Sequence, residues 1–155
     1  MKKGLIVLLL WVGLNGCEGV QQTAADVYLP PELGRRDLIR FKQYMVQGKQ
    51  LYLTHCSSCH KADGSGMQRL YPPLAKADFL SKNLSLSICM IRQGNTDPIT
   101  VNDINYDIIM PKFDKLSPLE IAEIVTYIGN KWGNQMGFIE VNQVEKVLQK
   151  CSNAD

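Results

Sequence analysis

Cys56, Cys59 and His60 are residues whose types and spacing allow them to do chemistry together. Two thiols three positions apart lie on one helical turn, close enough to add across the two vinyl groups of one planar ring. His60 follows directly, so its imidazole falls under the centre of that ring and can bind a metal there. The run Cys56-Ser57-Ser58-Cys59-His60 is the C-x-x-C-H attachment signature for c-type haem. Two other chemistries use paired thiols. A zinc site needs four ligands, but the only other histidine is His55 and the remaining cysteines are single and distant. A thioredoxin-like redox pair needs a βαβ setting, which the pattern does not contain. One covalent haem is the expectation.

Helical elements must hold these groups. From about Asp37 to His55 a helical pattern leads into the motif, with Phe41, Tyr44, Gly48 and Tyr52 as its packing positions. Lys61 to Pro73 reads as loop, with Gly64, Gly66, Pro72 and Pro73. Residues 81–93 read as one helix, with Leu84, Ile88 and Ile91 on a face and Gly94 as its stop. The short β-leaning stretch 99–109 suits a small hairpin. Ser117, Pro118 and Glu120 form a capped helix start, followed by the apolar stripe Ile121, Ile124, Val125 and Ile128. Asn142 is placed to cap a last helix with Val144, Val147, Leu148 and Cys151 on one face.

A second axial ligand would close the iron. His55 adjoins Cys56 on the attachment side, cannot reach the opposite face, and reads as a solvent-exposed helix residue. Beyond Met1 there are five methionines: Met45, Met67, Met90, Met110 and Met136. Met45 lies on the helix leading into the motif, Met67 is close to His60 in sequence, Met90 sits inside a helix beside Cys89, and Met136 lies past the capped helix. Met110 stands fifty residues after His60, before Pro111, in an irregular stretch long enough to wrap the ring. The residues alone leave it open between distal ligand and core methionine.

The chain begins with Lys2 and Lys3, then an apolar run from Leu5 to Val12 that is too short to span a bilayer. Leu14-Asn15-Gly16-Cys17 is similar to a bacterial lipobox, so residues 1–16 read as a signal peptide and Cys17 as the lipidated residue. An ordinary secretory signal with a chance cysteine is the alternative. Residues 17–36, with Pro30-Pro31, read as a lipid-anchored tether of up to ~70 Å when extended, and 37–155 as one domain. The expected location is the bacterial cell envelope, membrane-anchored on the periplasmic side. Removing residues 1–16 takes two lysines and no acid, so Lys+Arg falls from 17 to 15 against Asp+Glu 15. A neutral chain lacks the basic surface that nucleic acid requires, while local charge can still serve a redox partner. Cys89 and Cys151 remain as an even pair in an oxidising compartment, and we expect a disulfide closing a long loop, contributing about 4 kcal/mol. Two separate buried thiols are the alternative.

Cys56-Ser-Ser-Cys-His60, Tyr71-Pro-Pro-Leu74, Met110-Pro-Lys-Phe113 and the Ser117 helix together resemble class I monohaem cytochrome c over about residues 43–135. Thr100 to Asp103, Tyr106 and the ending Tyr127-Ile-Gly-Asn-Lys-Trp-Gly-Asn134 resemble the cytochrome domains attached to copper nitrite reductases and membrane alcohol dehydrogenases. Asp103 stands where those often carry glycine. The resemblance implies an all-α fold around one haem c, with a short hairpin before the distal ligand. It implies thioethers on Cys56 and Cys59, axial ligation by His60 and Met110, and a Pro72 carbonyl that accepts the His60 ring N–H. It also implies a crossing of the first and last helices at Gly48, Tyr52 and Tyr127. Six-coordinate iron has no place for a small-molecule substrate, so the expected role is electron carrier rather than enzyme. Two electron-transfer roles follow: a lipid-anchored carrier between respiratory redox proteins, or a dedicated subunit of a periplasmic oxidoreductase. A haem enzyme or gas sensor would instead need an open iron.

Overall fold

The arrangement of the helices follows from one glycine. In the computed structural model, which describes residues 26–151, Gly48 lies in the middle of helix α1 (Arg35–His55). A Cβ there would stand 2.0 Å from the Glu123 backbone oxygen and 2.8 Å from Tyr127 Cβ. Only glycine lets α1 approach helix α5 (Pro118–Gly129) this closely. Phe41, Tyr44, Met45 and Tyr52 bury the α1 face beside it. On α5, Ile121, Ala122, Ile124, Val125 and Ile128 are buried in turn, which makes this crossing the centre of the core. Tyr52, Tyr127 and Trp132 meet at its end, with ring centroids 5.1–5.6 Å apart, the spacing of favourable tilted aromatic contacts. Helix α5 begins as its sequence dictates: the Glu120 N–H donates to Ser117 Oγ, the Ser117 N–H donates to the Glu120 carboxylate, and Pro118 fills the first turn.

The remaining elements wrap this pair. After Cys56 breaks α1, the single turn α2 (Ser57–His60) carries the second thiol and the histidine. Helix α3 (Asp78–Lys82), helix α4 (Leu84–Gln93) and strands β1 (Ile99–Val101) and β2 (Ile104–Tyr106) follow, then α5 and α6 (Val141–Cys151). The strands pair antiparallel with Val101 opposite Ile104. The molecule is thus helical with one small hairpin. Its two-residue turn, Asn102-Asp103, holds both residues at positive φ (49° and 63°), the backbone of the turn that best fits strand twist. Asp103 therefore occupies its turn without glycine. Asn102 also exchanges hydrogen bonds with Asp78: its Oδ1 accepts the Asp78 N–H, and its own N–H donates to Asp78 Oδ1. In this way the turn caps α3 from 24 residues away.

Four expectations are corrected. The single helix of residues 81–93 is two helices. Asn83 (φ −129°, ψ 44°) leaves the helical region and donates from its side chain to the Phe79 carbonyl, the competition typical of asparagine. Helix α6 begins at Val141 rather than after Asn142, and the Gln143 side chain accepts the Glu140 N–H. The stretch 26–36, read as part of the free tether, lies on the domain or belongs to α1. Val27 bridges Lys131, the Tyr28 N–H donates to the Asn130 carbonyl, and Asp26 pairs with Lys131 at 3.0 Å. His55 is half-buried rather than solvent-exposed: its ring packs edge-on to Phe113 at 5.8 Å. Cys17 and residues 1–16 lie outside the described residues.

Candidate haem centre

His60 is fixed by the loop that follows it. Lys61 (φ 63°), Gly64 and Gly66 turn the chain back on itself. The Gly66 N–H donates to the His60 carbonyl, and the Gly64 carbonyl accepts from Leu74 and Ala75. At Gly64 a Cβ would strike the Trp132 ring at 2.4 Å, so a glycine is required there. The Tyr52 hydroxyl donates to the Lys61 carbonyl at 2.5 Å and pins the start of the turn. Its phenol is pushed well above its usual range, chiefly by burial, and stays a donor. The loop brings the Pro72 carbonyl 2.9 Å from His60 Nδ1. A carbonyl only accepts, so Nδ1 holds the hydrogen and Nε2 keeps its lone pair. Burial, partly offset by that same hydrogen bond, lowers the His60 pKa and favours the neutral ring.

The distal side is assembled from farther apart. Met110 and Asn95 exchange two backbone hydrogen bonds of 2.9 Å. Gly94 (φ +81°) allows the approach, since a Cβ would lie 2.7 Å from the Met110 carbonyl. The Phe113 N–H donates to the Ile91 carbonyl, and the Arg92 guanidinium donates to the Asp114 carbonyl. Residues 110–114 are therefore docked on the last turn of α4.

Between the two sides lies a cavity of about 270 Å³. Cys56, Cys59, His60, Pro72 and Met110 all line it. The rest of its wall is mostly aliphatic and aromatic, with Leu74, Leu80, Ile91, Phe113 and Ile124 among it. This donor set fits one haem: two unbonded thiols, a neutral imidazole with a free lone pair, and a thioether around an apolar slot. It does not fit a thiol redox pair. Burial, then the neighbouring Cys59, pushes the Cys56 thiol up to about 12, whereas a reactive redox thiol is shifted down. Among the described residues no group of three or more His, Cys, Asp or Glu side chains could hold a metal ion.

Met90 also lines the cavity, from inside α4. Met45 is in the core, Met67 is bridged to Tyr71, and Met136 packs against Gly129. Cys89 and Cys151 are joined in a disulfide, their Cα atoms 5.8 Å apart. Three positioning groups carried no role in the sequence reading. Asn134 Nδ2 donates to the Leu74 and Ile128 carbonyls at 2.7 Å each, tying the proximal loop to α5. The Tyr106 hydroxyl donates to the Gln68 carbonyl, and Trp132 covers Gly64. Their type gives no signal, because each acts on a backbone group distant in sequence.

The family model described as "Cytochrome c" matches residues 45–132. This chain belongs to the cytochrome c family. The cytochrome is 31% identical over 93 residues to cytochrome c-552 of Thermus thermophilus, covering 57% of this chain and 70% of that protein. It is 34% identical over 92 residues to the cytochrome c subunit of a quinone alcohol dehydrogenase from Gluconacetobacter polyoxogenes, covering 58% of this chain and 19% of that subunit. It is 31% identical over 90 residues to a gluconate 2-dehydrogenase cytochrome c subunit from Pantoea cypripedii, covering 20% of it. The cytochrome thus spans about a fifth of those dehydrogenase subunits. The prosthetic group of this family is covalently bound haem c, and its role is electron transfer.

Proposed function

We propose that Cys56 and Cys59 carry the two thioethers, that His60 and Met110 are the axial ligands, and that the protein is a lipid-anchored periplasmic carrier of single electrons. The observation that carries the site is that both thiols, the Pro72-oriented imidazole and the Met110 segment wall one apolar cavity. Bound there, haem supplies an iron that takes up and releases one electron at a time. Each protein group has a separate task. Cys56 and Cys59 hold the ring permanently. The Pro72 carbonyl orients the imidazole and raises its basicity. The soft Met110 sulfur and the apolar wall both favour the less charged iron, which raises the potential. With His60 and Met110 on opposite sides of the iron, no position would remain for a substrate, which supports a carrier rather than a catalyst. His60 and Met110 would each be held at the haem by its own segment, His60 by the Pro72 carbonyl and Met110 by the Asn95 bridge.

The lipid anchor rests on the Leu14-Asn15-Gly16-Cys17 run after a short apolar stretch. Among the described residues no helix is long and apolar enough to cross a membrane. With Asp26 seated on Lys131, eight residues separate Cys17 from the domain, a reach of about 30 Å at most. That leash holds the attachment point of the domain close to the membrane surface. Fractionation tests this: wild type stays with membranes after a high-salt wash, and Cys17→Ala is released or fails to mature. A variant that remains membrane-bound rejects the anchor.

The relatives named as dehydrogenase cytochrome subunits favour a second reading, in which this cytochrome is the electron-transfer subunit of one periplasmic oxidoreductase. Purification from its own membranes separates the two. A stoichiometric oxidoreductase partner supports the subunit, and a cytochrome recovered alone supports the mobile carrier.

A further inference from the structure

Residues 133–151 lie beyond the stretch matched by the family, yet they contact the structure that holds Met110. Their first part is fastened to the core. Thr126 Oγ1 donates to the Ile139 carbonyl at 3.0 Å. Arg40 forms two 3.3 Å hydrogen bonds to the Glu140 carboxylate and lies over the Phe138 ring at 5.2 Å. Phe138 in turn sits edge-on to Phe41 and Tyr44 of α1. Helix α6 continues from this seat with Val144 fully buried. Its last residue, Cys151, is bonded to Cys89 in α4, and the Cys151 carbonyl accepts a hydrogen bond from Gln93 Nε2. Helix α4 rests more on α6 than on α5.

The two fastenings at Cys89 and Gln93 flank the turn on which the distal segment is docked. Ile91 receives Phe113, Arg92 reaches Asp114, and Gly94-Asn95 receives Met110. A continuous path therefore runs from the α1/α5 core through Phe138, Glu140 and α6, across the disulfide, to the residues that hold Met110. A thioether is a neutral, weak donor, so its residence on a metal depends on how firmly its segment is held.

We infer that α6 and the Cys89–Cys151 disulfide form a brace that positions Met110 at the haem. The inference rests on Met110 being the distal ligand. Cys89 and Cys151 touch neither haem nor iron in this role, and they act through the α4 turn. A brace for Met110 and a general fold staple differ in what fails first when the bond is removed. A staple lowers the stability of the whole domain. A brace lets the distal segment open while the α1/α5 core stays folded.

The test compares the haem-loaded wild type with the Cys89→Ser/Cys151→Ser double variant, with Cys56 and Cys59 intact. In the ferric protein, the weak red charge-transfer band of methionine-ligated iron is followed on heating beside the far-ultraviolet helical signal. In the variant the band should vanish at a temperature further below the helical midpoint, widening the gap by about 10 °C or more. Hydrogen exchange at the Met110 and Asn95 amides should quicken about tenfold or more relative to α1 amides. If both signals fall together and the amides keep their ranking, the disulfide is a staple and the brace is overturned. Val144→Ala keeps the disulfide but loosens α6 from the core, so it should widen the gap in the same sense by less. An unchanged gap in that variant also rejects the brace. A wild type without the band would remove Met110 as the ligand, and amide exchange would still decide whether α6 holds that segment.

Discussion

The two faces of the haem slot are built on different length scales. On the proximal face, the groups that aim His60 lie between Tyr52 and Ala75, apart from the supports from Tyr106, Trp132 and Asn134. The imidazole and the carbonyl that orients it are 12 residues apart. On the distal face, Met110 takes its position from Asn95 and the end of α4, and α4 is tied by a disulfide spanning 62 residues. The proximal ligand takes its geometry from short-range chain turns. Met110, the proposed distal ligand, takes its position from tertiary assembly, so it should be the first to let go.

The largest expected effect breaks the proximal side completely. Cys56→Ala/Cys59→Ala should leave no haem on the polypeptide after acid-acetone extraction, whereas wild type retains it through denaturation, because thioethers do not dissociate. If wild-type haem extracts fully, the covalent assignment to Cys56 and Cys59 is wrong.

Next is the distal ligand itself. Met110→Ala should keep covalent haem, lose the red charge-transfer band, and allow carbon monoxide to bind the reduced iron. Its potential should fall by on the order of a tenth or more of the ~0.8 V that axial ligands span. Met67→Leu and Met136→Leu should retain the band. Met90→Leu should retain it too, although Met90 shares the cavity wall. A band that survives in Met110→Ala and disappears in Met90→Leu would move the distal ligand onto α4 itself.

The third variant acts beneath both faces. In Gly48→Ala the new Cβ meets the Glu123 carbonyl at 2.0 Å, and because the obstacle is backbone, the helices must separate. We expect a loss of about 3 kcal/mol, read from the denaturant midpoint. The red band and the helical signal should disappear together, because the crossing supports the whole domain. Loss of the band well ahead of the helices would mean that the crossing serves the distal ligand specifically.

What the sequence revealed follows the same division of scale. C-x-x-C-H, the Ser117 capping box and the α5 stripe are short-range patterns, and each stands in the structure where its spacing puts it. Met110 stands out among the methionines by its distance from His60 and by Pro111, but the residues alone leave it open between distal ligand and core methionine, because its place is set by Asn95 and Gly94 across an intervening hairpin. Met90 reads in sequence only as a helix residue beside Cys89, since helical periodicity does not say which neighbour a face meets. His55 was misread for a similar reason: nothing near it in sequence announces that Phe113 will cover it. Asn83 and the docked stretch at Val27–Tyr28 were missed because one turns on a side chain competing with its own backbone and the other on a partner a hundred residues away.

The smallest effect tests the hairpin on the distal side of the chain. Asn102 and Asp103 both sit at positive φ, where asparagine and aspartate are tolerated better than most residues. Asn102 also accepts the Asp78 N–H at the start of α3. Asn102→Ala therefore loses a left-handed-tolerant residue and a cap, but the cap is exposed and water can replace it. About 1–1.5 kcal/mol of destabilisation is expected. Asp103→Gly should act oppositely, because glycine relieves the left-handed strain at a cost in unfolded-chain entropy; the net is a gain of less than about 1 kcal/mol. Both are read from denaturant midpoints at unchanged slope. Opposite signs at adjacent positions would show that the turn backbone, rather than the side-chain contact alone, sets the hairpin. If Asp103→Gly destabilises as much as Asn102→Ala, the carboxylate has a contact that the turn geometry does not explain. Neither variant should shift the red band, because the hairpin precedes Met110 without carrying it.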